Sequence, residues 1–414
     1  MTERDEGIPQ LEPVLASLGI DLIPDGWKKS WRTSQAVYPA ERMLFLQEVY
    51  YREANGVFRF PDDLSELFLE TLARIRASDA LRRLVWHAHH ALFHDGVEDD
   101  SAFCKSWPSF DQSMGELAPI VQGIVAVSGL TRMRRFYADK GISERILVDT
   151  ASDVRLNMQD YRHKHGQWGL ELLDWEILSL TGRLFRLGRL QFCCRTFRRE
   201  LEAYRSRKTG EVLVLSGDGV TYRPDGLLDG TNGIDAGGEV WRSTILTQGE
   251  TVTGNSISPD GRCERQAVRL ALEEWQRVLA KGDPILEVHI QEGEPLTPEL
   301  CQDSYDQALA FFPEYFPDKS FHAFTCESWL LGVPLQHILP HSSNILAFQR
   351  SFRLYQAILT PAGDDFYQYV FYVKPDDLTS APRNTALQRA ILDYLLAGNQ
   401  MREGGGFILL DGVE

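Results

Sequence analysis

Ile285-Leu286-Glu287-Val288-His289-Ile290 and Phe321-His322-Ala323-Phe324-Thr325-Cys326-Glu327-Ser328-Trp329-Leu330-Leu331 frame the most informative part of the chain, Pro284 to Tyr355. Both are short, apolar and rich in β-branched and aromatic residues, as strands are. Between them Thr297 is followed by Pro298, which predicts a helix start. Ser342-Ser343-Asn344 opens a second helix. The order strand, helix, strand, helix gathers polar side chains near the strand ends. Chemistry is expected in this unit, with the rest of the chain as support.

Before this unit the chain changes character once. Up to about Gly182, apolar residues recur at a helical period. Helices are expected at Leu11 to Leu18, Pro39 to Tyr51, Leu64 to Ile75, Asp79 to Phe93, Ser113 to Gly129, Thr131 to Lys140 and Ser143 to Arg162. Beyond Gly182, strands are expected at Leu190 to Arg195, Val212 to Leu215 and within Trp241 to Thr253. A long exposed loop is expected at Asp225 to Gly238, and a helix at Arg262 to Ala280. After the central unit come an aromatic strand at Asp365 to Lys374, a helix at Thr385 to Ala397 and a last strand at Gly406 to Leu410. The fold class is therefore α+β: an all-α N-terminal domain, residues 1–145, followed by a mixed β-sheet domain flanked by helices, residues 146–414.

Composition narrows the function. The chain has 414 residues, 43% hydrophobic and 25% charged, with a formal net charge of -16. An acidic surface repels phosphate backbones and anionic lipid, so neither nucleic acid nor membrane is an expected partner. No apolar run is expected to reach the ~18–20 residues of a membrane span. Met1 to Gly7 is acidic and polar, unlike a signal peptide, so a cytoplasmic location is expected. The six cysteines form no CxxC pair and no zinc-finger spacing. His87, His89, His90 and His94 lack the His-Glu-x-x-His arrangement, and Asp95 is the nearest carboxylate; an amphipathic helix is expected there, and no metal.

Leu286-Glu287-Val288-His289-Ile290 with Pro295-Leu296-Thr297, Ser328-Trp329-Leu330-Leu331, Ser343-Asn344-Ile345 with Phe348-Gln349, and Thr385-Ala386-Leu387-Gln388-Arg389-Ala390 carry a resemblance. The chain resembles the GNAT superfamily. More closely, it resembles bacterial acyltransferase-like proteins that join a helical N-terminal domain to a GNAT-like C-terminal domain. The resemblance implies an N-acyltransferase that takes an acyl group from acyl-CoA, or another acyl thioester, to a small amine or hydroxyl acceptor. It places the donor's pyrophosphate at Gln291 to Leu296, with Gln291 and Gly293 as contacts. That segment has one glycine, two acids and a proline, where GNAT enzymes carry a glycine-rich cradle. Asn344-x-x-Ala347 matches the start of the GNAT helix after the splayed strand, which implies Ser343 and Asn344 as further donor contacts. The Tyr that often follows that Asn by seven positions is Ser351 here.

Glu287 and His289 alternate on one strand and share a face. Glu287 is the candidate general base and His289 the group that orients it. Cys326 is a candidate nucleophile if His289 or His322 draws its proton. Glu327 is a second candidate base. Arg183 to Lys208 is locally basic and reads either as an anion site or as a solvated face that pairs with acids. Gly404-Gly405-Gly406 reads as a helix stop and turn. The alternative function is a GNAT-like scaffold without catalysis that binds a small ligand or a partner protein.

Overall fold

The computed structural model describes residues 8–22, 24–40, 42–94, 101–230, 238–359, 365–372 and 377–410. Met1 to Gly7, Asp95 and part of the predicted loop Asp225 to Gly238 lie outside them. Two compact units divide the chain, Met1–Arg186 and Leu187–Glu414. The expected division at 145/146 falls at the second residue of a single helix, Glu144–His165.

The first unit is helical because its apolar residues fall on one face of each helix. In Asp62–Ala77, acids fill the first turn, Arg74 and Arg76 fill the last, and Leu64, Phe68, Leu72 and Ile75 are buried. Ser78 caps the next helix, Asp79–Phe93, by accepting from the Leu81 amide. Further upstream, Pro39 to Tyr51 is not the single helix expected. A short 3-10 turn, Leu44–Leu46, leads into Glu48–Phe58, and Val49 is exposed. The run Asp111–Lys140 was missed as an apolar segment: by length and composition it is able to cross a membrane. Its most apolar window is 67% buried inside the fold, as in a core helix.

The histidines of Asp79–Phe93 point into different surroundings. His87 is fully buried against Trp27, Trp31 and Phe103. Its Nε2 donates to the Trp27 carbonyl at 2.9 Å, and its Nδ1 faces the Ser34 hydroxyl at 2.8 Å. Burial pulls its pKa down to about 3. An unfolded His titrates near 6.5, so below that pH the unfolded chain binds a proton the folded one refuses. Stability is therefore full above pH ~6.5 and falls as pH drops towards 3. Between pH 7 and pH 5, wild type is expected to lose about 2 kcal/mol relative to a His87→Gln variant. Urea unfolding at the two pH values measures this, and parallel pH profiles would refute it.

The second unit is built from strands: β1 (Leu184–Leu187), β2 (Leu190–Thr196), β3 (Leu201–Ser206), β4 (Val212–Ser216), β5 (Thr221–Tyr222), β6 (Trp241–Arg242) and β7 (Ile245–Gln248). They continue with β8 (Thr251–Ile257), β9 (Cys263–Ala271), β10 (Trp275–Ala280), β11 (Pro284–His289), β12 (Ala323–Ser328), β13 (Arg353–Gln356) and β14 (Gly404–Leu409). A six-stranded sheet runs β1-β2-β11-β12-β14-β13; a second runs β10-β3-β4-β8-β7, with β9 also on β8; β5 and β6 pair apart. One face of the first sheet packs on the second through Ile285, Ala323 and Phe407, which meet Ala203, Val214 and Leu279. The other face carries Phe192 and Phe324 and packs on Tyr305 of helix Pro298–Tyr315.

Three predicted elements are corrected. Arg262 to Ala280 is not a helix but two consecutive strands, β9 and β10, paired with β8 and β3 respectively. Its Ala, Leu, Glu and Arg favour helix locally, yet β9 pairs along β8 from Thr251↔Ala271 to Ile257↔Cys263, and tertiary pairing overrides propensity. Asp365 to Lys374 is not a strand: Asp365–Phe371 is a helix that buries Phe366, Val370 and Phe371. Gly404-Gly405-Gly406 is not a turn. It forms half of β14, an interior strand between β12 and β13.

Candidate active site

Register places the polar residues. β11 pairs with β2 through Glu287↔Cys193 and His289↔Gln191, and with β12 through Glu287↔Thr325. β12 pairs with β14 through Glu327↔Gly405, and β13 with β14 through Tyr355↔Gly405. Residues opposite one another share a face. Glu287, His289, Glu327, Tyr355, Gln191 and Arg195 therefore all lie on one face of the first sheet. Parallel pairing of β11 and β12 is recorded only at Leu286↔Phe324 and Glu287↔Thr325. Beyond those positions no residues of the two strands are paired, and the polar cluster lies at that end.

Glu287 Oε2 lies 3.1 Å from His289 Nε2 and 3.4 Å from Arg195 Nε. Burial acts to raise the Glu287 carboxyl. The hydrogen bond and charge of His289, with the charges of Arg195 and Arg198, outweigh it and hold the pKa below the usual value. A carboxylate held ionised in this way is a weak base and a strong anchor. Glu287 is thus placed to orient His289.

Glu327 is already engaged. Arg199 donates from Nε and Nη2 to its two oxygens, and the Tyr355 hydroxyl donates to Oε1 at 3.1 Å. Gly405 makes this possible: a Cβ there would stand 2.3 Å from the Tyr355 ring. Burial raises the Tyr355 phenol well above its ordinary pKa, and the Glu327 charge adds to this, so the phenol holds its proton. Glu327 is thus held in an ion pair with Arg199 and a hydrogen bond from Tyr355.

Cys326 alternates to the opposite face and is fully buried. Burial pushes its thiol far up, and the Glu287 and Glu327 charges add to the effect. Its two proposed activators do not serve it. His289 lies on the other face, and His322 Nδ1 is 3.2 Å from the Val278 carbonyl and 3.7 Å from Asp283. A nucleophilic thiolate does not fit this position.

The loop after β11 is shaped by an arginine. Buried Arg189 donates to the carbonyls of Gln291 at 2.8 Å and Glu294 at 2.5 Å. Gln291 is buried, whereas Gly293 is exposed with φ +133°. Ser343 accepts from the Ile345 amide at 3.2 Å as the cap of Asn344–Arg350, and Asn344 is exposed. Nothing places this pair in the Glu287 cluster. Sequence reasoning missed Arg195, Arg199, Tyr355 and Gln191 as members of the site. Gln191 is buried, and its Nε2 has no hydrogen-bond partner among the described residues. The basic run Arg183 to Lys208 was the available signal, and it disperses: Arg189 to the loop, Arg195 to Glu287, Arg199 to Glu327 and Arg207 to Gln276.

Comparison with known proteins settles the family. The model of a GNAT-like C-terminal domain matches residues 184–408, more than half the chain, and that of an N-acyltransferase N-terminal domain matches 51–182. The chain belongs to the N-acyltransferases with a GNAT-like C-terminal domain. It is a GNAT-related acyltransferase, as the resemblance implied. Among solved structures, an acyltransferase in complex with decanoyl-CoA and teicoplanin is similar at 21% identity, with a TM-score of 0.66. One with CoA and 10C-teicoplanin is similar at 22% and 0.66, and one with decanoyl-CoA at 21% and 0.65. Each match covers 97% of this chain and 100% of the other. At that identity they establish a shared fold, including the GNAT-like domain. No curated protein sequence matches the chain.

Proposed function

We propose that this GNAT-related enzyme takes an acyl group from acyl-coenzyme A and delivers it to an amine of a small-molecule acceptor, with His289 as base. The observation that carries this reading is the Glu287–His289 pair beside the unpaired ends of β11 and β12. Strand ends that no longer pair leave backbone donors and acceptors for an extended, amide-bearing ligand, which suits the linear pantetheine arm of coenzyme A. The acceptor nitrogen attacks the thioester carbonyl, so a C–N bond forms and the C–S bond breaks. The nitrogen's proton passes to His289, and Glu287 stabilises the imidazolium. The thiolate takes that proton as it leaves. Tyr355, committed to Glu327, is not needed as acid.

The unusual loop also fits a donor. Arg189 beneath Gln291 and Glu294 places a buried positive charge where Glu292 and Glu294 bring negative ones, which favours an anion above it. The structures of like fold hold decanoyl-CoA with teicoplanin, or CoA with 10C-teicoplanin, which supports a CoA donor and an acceptor of that size. No disulfide joins the six cysteines among the described residues, which supports a cytoplasmic, reducing location.

Calorimetry with CoA and decanoyl-CoA, and thiol-release assays against a panel of amines including teicoplanin, test the proposal. One-to-one binding of the CoA thioester and acceptor-dependent thiol release are expected. A protein that binds no CoA thioester, and releases no thiol with any acceptor, would leave the non-catalytic scaffold as the better reading.

A further inference from the structure

Gln191 takes no part in the proton transfer assigned to His289, yet it stands beside it. It lies on β2, directly across from His289 on β11. Cross-strand neighbours of this kind hold their Cβ atoms ~4.5–5.5 Å apart and point to the same side of the sheet. Gln191 is 1% exposed, whereas His289 and Glu287 are half-buried. Its Nε2 is buried and makes no hydrogen bond among the described residues. Folding normally gives such a group a partner, because an unpaired buried donor loses its hydration without replacement. The carboxylates on this face are engaged elsewhere: Glu287 with His289 and Arg195, Glu327 with Arg199 and Tyr355.

Sheet order decides which substrate can meet this amide. β11 lies between β2 and β12. The acyl donor proposed above enters beside the unpaired ends of β11 and β12, on one side of His289. The attacking nitrogen must reach the thioester carbonyl from the side away from the donor, and within hydrogen-bond reach of the base. That side carries β2, and Gln191 is its residue opposite the base. We infer that Gln191 is a specificity-determining residue for the acceptor: its carboxamide N–H donates to an oxygen two carbons from the reacting nitrogen, as in an amino alcohol, an amino ether or an amino sugar. Side chains rooted this close together touch substrate atoms a few ångströms apart, which is the spacing of those two atoms. A donor held out of water discriminates strongly. An acceptor with CH2 in place of the oxygen leaves the amide unpaired, and such a mismatch costs more than a missing apolar contact. The inference rests on acyl transfer with His289 as base.

The test uses the full chain with decanoyl-CoA and two acceptors of equal size, 2-methoxyethylamine and butylamine, which differ by an oxygen in place of a CH2. Wild type is expected to favour 2-methoxyethylamine by about tenfold or more in kcat/KM, reckoned on the free amine. Gln191→Met keeps the length of the side chain and removes the donor. It is expected to bring the ratio to within about twofold, chiefly by raising KM for 2-methoxyethylamine. It is also expected to melt no lower than wild type, because the lost donor had no partner to leave behind. If the variant fails to fold, the wild-type ratio decides by itself. Equal use of the two amines by wild type, or a preference that Gln191→Met retains, would overturn the inference and leave acyl transfer standing. So would a variant that loses both amines alike in kcat at constant KM, which would put the amide on the thioester oxygen instead. No thiol release by wild type with either amine or with teicoplanin would overturn acyl transfer, and this inference with it.

Discussion

His289→Ala is expected to lower kcat for acyl transfer by a factor of about 10²–10⁴, the usual contribution of a positioned general base. Donor affinity is expected to hold, because the imidazole acts on the acceptor's proton and not on the thioester. Tm is expected to move little, since His289 sits at the end of β11 and is only half-buried. Glu287→Gln keeps the shape and removes the charge that orients the ring and stabilises the imidazolium, so a smaller loss, on the order of 10²-fold, is expected. The two variants separate the possible roles. Glu287 is held below its ordinary pKa by the His289 hydrogen bond and by Arg195 and Arg198, against the opposing effect of burial. An ionised, paired carboxylate takes protons poorly. Should Glu287→Gln abolish single-turnover acylation while His289→Gln keeps it, Glu287 is the base and the exchange of roles proposed above is wrong.

What the sequence disclosed was local. Thr297 accepts from the Leu300 amide, Ser343 from Ile345, and Thr385 forms a full capping box with Gln388, because caps depend on residues three or four apart. Glu287 and His289 were legible as a pair because strand periodicity puts every second residue on one face. The partners that decide their chemistry were not. Arg199 is 128 residues from Glu327, and Tyr355 is 28 residues from it; only the register across β12, β14 and β13 brings them together. Cys326 shows the same limit from the other side. Its thiol was a plausible nucleophile until alternation and burial placed it on the face packed against helix Pro298–Tyr315. Strands β9 and β10 were misread for a related reason: their residues favour helix one by one, and the decisive facts are pairings with β8 and with β3.

Arg199→Met is expected to destabilise the protein by about 3 kcal/mol, towards the low end of the cost of breaking a buried ion pair. The side chains of Arg199 and Glu327 retain 29% and 24% exposure, so water offsets part of the loss. The cost arises because the substitution leaves the Glu327 carboxylate, among the described residues, with one donor, the Tyr355 hydroxyl. Removing the charge as well should repair most of it: Glu327→Gln in the Arg199→Met background is expected to recover about 2 kcal/mol, a coupling that a double-mutant cycle in urea unfolding measures directly. The same variants weigh the anchor reading of Glu327 against its candidacy as a base. As an anchor, Glu327→Gln alone keeps turnover within several-fold of wild type, because the Tyr355 hydroxyl still has an amide oxygen to donate to. As a base, it loses turnover by the factor expected for His289→Ala. A stable, inactive Glu327→Gln protein together with a fully active His289→Ala protein would transfer the catalytic role to Glu327 and reduce the Glu287–His289 pair to a structural contact.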